Sequence, residues 1–384
     1  MNTPSHDARR RRMLSGAVAG ALSGAVAAVA SPWAWAFDEG YSKRAIALVE
    51  RAGAIDMLGL VTMNDVESER WNSAEGMTAE DRQRFHDSGL KVFHHSVGLG
   101  GPDAHTDALV YFAGLNAFVA RYSDTFMRVS RWRDLDALVT SPKIGVIPGL
   151  QNSEHFRTPD DVKLFYALGQ RVSQLTYNAQ NQLGCGSTER RDCGITDFGV
   201  VIIERMNEVG MLVDVSHCGE MTTLDAFEIS RKPVAITHAN CRALVNHPRC
   251  KTDEAIRRMA KSGGVMGITG VRMFVRASEP TTLEHIVDHI DHVAKLVGVE
   301  HVGIGTDSDL NGYDKLPEAQ GKALRAAYKA SYAFREKLDI EAFGHPRKLF
   351  DLTEALLRRG YRDADIVGIL GGNFRRMFKQ VWEY

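Results

Sequence analysis

From about Lys143 onward, short apolar runs alternate with stretches of helical period. The runs are KIGVIPGL, RVSQLTYN, GMLVDVSH, KPVAITHAN, GGVMGIT and HVGIGTDSD. Between them lie DFGVVIIERMNEVG, EMTTLDAFEIS, TDEAIRRMAKSG and TTLEHIVDHIDHVAKLVG, whose apolar residues recur at the spacing of one helix face. Strand and helix in turn require parallel β/α units. Such units close into a (β/α)8 barrel or open into a doubly wound sheet. No G-x-G-x-x-G follows a strand, as the open sheet's nucleotide site would need. His217, His238 and Asp307 instead come at the C-terminal tips of three different runs, the place where barrels gather catalytic groups. The expected fold is therefore α/β, a (β/α)8 TIM barrel over residues 37–384.

The tips have a chemistry. LVDVSH and VAITH put two imidazoles on neighbouring staves, and neutral imidazole with a carboxylate is a usual zinc set. In GIGTDSD, glycines let the chain pass close to an ion or a water, and Asp307 could bind metal or accept a proton, whereas Asp309 reads as a turn residue. His285, His289 and His292 share a helix face with Asp288 and Asp291, but a solvated polar face opposite Ile286, Ile290 and Val293 is the simpler reading.

The first 36 residues read differently. Arg9 to Arg12 precede an Ala/Gly-rich apolar stretch to Ala30 and then Ala34-Trp35-Ala36, the order of an export signal cleaved after small-x-small. Paired arginines before a weakly apolar run suggest the twin-arginine route and an extracytoplasmic, periplasmic location. The alternative is an anchor, for which the run is short. Charge is balanced, 47 Lys plus Arg against 48 Asp plus Glu, so no nucleic-acid footprint appears and a small molecule is the expected partner. The 5 cysteines match no zinc ribbon; Cys185 and Cys193 could pair in an oxidising compartment or stay free.

RMNEVGMLVDVSH, SRKPVAITHANCRALVNHPRCKTDEAIRRMAKSGGVMGI and HVGIGTDSDLNG, in that order, resemble the membrane (renal) dipeptidase family, zinc peptidases of amidohydrolase-like barrel fold. The likeness covers most of the chain beyond the signal and is densest from Lys143 to Asp309. It implies that His217 and His238 hold one zinc, that Asp307 belongs to the second, and that Arg249 receives the substrate carboxylate, although Cys250 replaces the Asn that follows. It also implies a homodimer.

Other ligand positions depart from the family. Its first-strand Ile-Asp-Gly-His-x-Asp aligns with Ile55, Asp56, Met57, Leu58, Gly59 and Leu60, so both ligands there are aliphatic. A five-residue slide brings Met63, Asn64 and Asp65 against His-x-Asp and rescues one carboxylate at the cost of the Ile-Asp match. The bridging glutamate aligns with Gln151, a neutral oxygen and a weak ligand that cannot bridge two dications as a carboxylate does. Glu154 or His155 could substitute, though both read as solvent-facing loop residues. The family's substrate-contacting His aligns with Tyr177, a hydrogen-bond donor without charge at neutral pH.

These replacements lead to one zinc on His217 and His238, with Gln151, Asp307 and water, and not to a two-zinc centre. The expected activity is hydrolysis of a dipeptide or small amide, with Asp307 moving the proton and Tyr177 facing the oxyanion. The alternative is a non-hydrolytic periplasmic binding or accessory protein that uses the same pocket for a peptidic ligand.

Overall fold

The structure, a computed structural model, describes residues 40–382. The export signal read over residues 1–36 lies outside the described residues. Nine strands form one all-parallel sheet: β1 (Ala54–Asp56), β2 (Leu90–Val97), β3 (Phe126–Arg128), β4 (Ile144–Leu150), β5 (Val172–Gln174), β6 (Leu212–Asp214), β7 (Val234–Ala239), β8 (Met266–Ile268) and β9 (Val302–Ile304). Their order is β2-β1-β9-β8-β7-β6-β5-β4-β3, and a second pairing of β2 with β4 closes eight strands into a (β/α)8 barrel. β3 lies outside the ring against the N-terminal part of β4.

Strand period sorts the side chains. Val146, Val213, Ile236 and Ile304 point out and pack with the helices, while Ile55, Met57, Val92, Ile147, Val172, Leu212 and Ala235 fill the interior with Phe374 and Phe378 beneath them. Two residues further along, most of the same inward positions turn polar: His94 after Val92, Gln174 after Val172, Asp214 after Leu212 and Thr237 after Ala235, while Gly149 after Ile147 leaves space. The barrel thus has an apolar floor and a polar mouth at the C-terminal ends of its strands. All of these polar side chains are buried.

The helices follow the sequence pattern closely: Asp197–Val209, Glu220–Ile229, Asp253–Lys261 and Leu283–Val297. One expectation fails within the last of them. His289 is fully buried, accepting from the Cys241 N–H (3.1 Å) and donating through Nε2 to the Val275 carbonyl (2.9 Å). Helix Asp253–Lys261 and the loop at Cys241 cover that face. His292 pairs with Asp253 at 2.7 Å, and His285 caps its own helix at Thr282, so the three histidines share no metal site.

Candidate active site

Asp214 is the buried root of the site. Its carboxylate accepts from Ser216 N–H (3.0 Å) and Oγ–H (2.6 Å), from Thr237 N–H (3.1 Å) and from Thr237 Oγ–H (2.6 Å), tying the end of β6 to β7. With its proton given to Asp214, Thr237 Oγ1 can only accept from His238 Nδ1 at 2.8 Å. His238 lies inside β7 rather than at its tip. His217 stands in the turn three residues beyond β6, where its Nδ1 donates to Asn178 Oδ1 at 2.9 Å. Both rings therefore carry their proton on Nδ1 and present a bare Nε2 lone pair, and both Nε2 atoms are buried without a partner. Burial first, then the neighbouring Arg249 cation, holds both imidazoles well below the usual histidine range and keeps them neutral. Their centroids are 5.0 Å apart.

Asp307 follows β9 in a left-handed backbone conformation, φ 60°, which costs a non-glycine residue about 1 kcal/mol. Burial pushes its carboxyl up to about 7; Arg249 opposes that shift and Asp56 adds to it. Such a group exchanges protons near neutral pH. Arg249 is buried and donates to the carbonyls of Ser216 and, at 3.2 Å, His238, which leaves Nε–H free. It braces both histidine-bearing loops. Tyr177 stacks on His217 with centroids 4.2 Å apart, and its hydroxyl pairs with that of Tyr328 at 2.7 Å. Gln151 donates to the Ser96 carbonyl (3.1 Å) and leaves a buried, unpartnered Oε1.

The proposed rescues do not join the cluster. Asp65 is exposed at the first turn of helix Asp65–Asn72. Glu154 accepts from Asn152 at 3.1 Å. His155 is buried, not solvent-facing: Nδ1 donates to the Asn152 carbonyl, Nε2 meets Gln170, and the ring packs on Phe156 and Phe165. Asp56 is a latch, accepting from Thr306 N–H (2.8 Å), Thr306 Oγ–H (2.6 Å) and Leu58 N–H (3.1 Å). Cys185 and Cys193 are free thiols, with the Cys193 N–H donating to Cys185 Sγ at 3.4 Å.

Two residues at the mouth were not singled out in sequence. Asp214 lies within VDVSH, hidden by the histidine that follows. His94 in KVFHHSVG donates through Nδ1 to the Met57 carbonyl (2.8 Å), and its Nε2 is also bare and buried. An apolar run ending in histidine is the same pattern that marked His217 and His238.

A two-ion centre does not fit this donor set. At the two first-strand ligand positions Leu58 is fully buried and Leu60 is equally aliphatic, and Gln151 supplies no negative charge for a bridge. One ion fits His217 and His238 in tautomer, burial and bare nitrogen, although among the described residues no group of three His, Cys, Asp or Glu already surrounds one point.

A closed parallel barrel with imidazoles, a carboxylate and an arginine at the C-terminal mouth defines an amidohydrolase-like barrel protein. The membrane dipeptidase profile (peptidase family M19) matches residues 53–324, and the chain belongs to that family. It is 30% identical over 273 residues to dipeptidase verJ of Clonostachys rogersoniana, covering 70% of this chain and 63% of that protein. It is 28% identical over 317 residues to dipeptidase 3 of Rattus norvegicus, covering 81% and 59%. The chain thus spans about three fifths of the length of these curated relatives. A crystal structure of an amidohydrolase from Pseudomonas aeruginosa superposes with TM-score 0.76 at 25% identity, covering 88% of this chain and 99% of that one.

Proposed function

We propose that the protein is a hydrolase of dipeptides or related small amides that works with one zinc ion held by His217 and His238. The observation that carries this reading is the pair of bare Nε2 atoms. Leaving a buried acceptor unpaired costs about 1–3 kcal/mol each, which a metal ligand would offset. A bound ion would supply acidified water and a polarised carbonyl. The chain supplies the rest. Asp307 takes the proton of the attacking water on a carboxylate oxygen and passes it to the departing amine. Arg249 offers its free Nε–H to the substrate carboxylate while its other donors hold both histidine loops in place. Tyr177 covers His217, and its hydroxyl faces the oxyanion once Tyr328 releases it. The arginine run and Ala34–Ala36 support export through the twin-arginine route and a periplasmic location. Among the described residues no helix is long and apolar enough to cross a membrane.

The test is elemental metal content of protein purified without chelators or added zinc, alongside dipeptide hydrolysis. The expected result is about one ion per chain, lost with activity in His217→Ala. A second reading, ligand binding without hydrolysis, draws on the lack of a gathered three-donor group among the described residues. It requires folded, metal-free protein whose peptide affinity survives His217→Ala.

A further inference from the structure

Seven histidines are buried among the described residues: His94, His105, His155, His217, His238, His247 and His289. Four have both nitrogens engaged. His105 donates to the His155 carbonyl and accepts from Arg157; His155 meets Asn152 and Gln170. His247 accepts from Arg249 N–H and donates to the Tyr332 carbonyl; His289 is held by Cys241 and Val275. The remaining three, His94, His217 and His238, each have a bare Nε2. In each, Nδ1 is fixed as a donor by a carbonyl, an amide oxygen or a hydroxyl that has already given its proton away.

We infer that His94 is the third nitrogen donor of a single-ion site with His217 and His238, replacing the carboxylate and histidine that strand β1 lacks; this rests on the one-ion reading above. His94 is on the inner face of β2, two residues beyond the interior Val92, and its Nδ1–H is bonded to the carbonyl of Met57, in the segment that lacks the family's ligands. Space for the ring is made at Gly149 on β4, where a Cβ would lie 2.0 Å from His94 Nε2. β2 stands opposite β7 in the eight-strand ring, so the inner face that carries His94 is turned toward the strand that carries His238. Next to it, His95 faces the other way: it accepts from Val61 N–H (3.2 Å) and stacks on Tyr111 with centroids 6.0 Å apart. Strand period alone thus sends one histidine of the pair into the mouth. Three neutral imidazoles, each oriented by an acceptor at Nδ1, make a donor set suited to zinc with an open fourth position. The three are not yet gathered around one point, so loading requires side-chain movement.

The test uses the full chain loaded with cobalt(II), with affinity read by competition against a chromophoric chelator and geometry by visible absorption. X-ray absorption of the unmutated zinc form counts imidazoles without any substitution. Three imidazoles are expected. His94→Gln should weaken cobalt binding by at least about tenfold and change the visible bands, with the melting curve showing that the variant is folded. His217→Ala should abolish binding. Two imidazoles, or a folded His94→Gln with unchanged affinity and spectrum while His217→Ala loses the ion, overturns the role of His94 and leaves the one-ion reading standing. Folded wild-type protein that takes no ion overturns both.

Discussion

At the scale of single residues, what could be seen in the sequence was what lies at a strand tip. His217, His238 and Asp307 end apolar runs, so periodicity exposes them, and the structure brings them to one mouth. His94 escaped because it is one of two adjacent histidines in a strand whose pattern gives no hint which faces inward, and register alone decides that. His155 and His289 were misplaced because local sequence does not show what packs on top of a loop or helix. The residues that set the tautomers were equally hidden, and they can be tested. Thr237→Val keeps the shape of the side chain but removes the acceptor for His238 Nδ1 and one of the four donors to Asp214. Metal affinity should fall about 10–100-fold by chelator competition with the fold retained, because the imidazole would lose its orientation and its fixed proton. Unchanged affinity would mean that β7 alone orients the ring.

At the scale of elements, periodicity made the second half of the barrel legible, while in the first half only β1 was placed, through the family motif aligned on Ile55 to Leu60. β4 to β9 lie in apolar runs between amphipathic helices, whereas β1 offers only Ala-Ile-Asp, β3 only Phe-Met-Arg, and β2 mixes lysine and histidine into its run. Their membership comes from pairing partners far along the chain, such as Asp56 with Ile304. The segment after β9 is another element that periodicity does not reveal. It reaches one wall of the mouth where Gln320 bonds to the Met63 carbonyl, and the other where Tyr328 pairs with Tyr177 and Lys329 donates to the Thr188 carbonyl at 3.3 Å. Tyr328 also packs on Tyr332 and Phe334, with ring centroids 4.6 and 5.0 Å apart. Removing one hydroxyl should loosen this strap without unfolding it. Tyr328→Phe is expected to speed amide exchange over residues 318–332 by about fivefold, the worth of one net hydrogen bond, with the barrel strands unaffected. Exchange at the wild-type rate would show that the aromatic packing holds the segment by itself.

At the scale of the whole molecule, buried histidines tie the barrel's outer layers together, and this makes the fold sensitive to acid. His155 joins the loop after β4 to Gln170, and His289 joins the helix Leu283–Val297 to the Cys241 loop and to Val275. Both are fully buried, and burial is the main cause that lowers each to about 4. A histidine whose folded-state value lies below its unfolded value of about 6.5 resists protonation only while the chain is folded. As pH falls through 6.5 the unfolded chain gains protons that the folded chain refuses, so stability is lost progressively and levels off below about 4. Each such residue accounts for up to about 3 kcal/mol over that window, a large share of the 5–15 kcal/mol typical of a folded domain. Urea unfolding between pH 7.5 and 4 should therefore show a falling midpoint, steepest below pH 6.5. His289→Gln, which keeps a donor and an acceptor but cannot take up a proton, should flatten the decline while lowering stability at pH 7.5 only modestly. An equally steep decline in that variant would move the acid sensitivity to other groups, and the barrel-mouth imidazoles would be the next to replace.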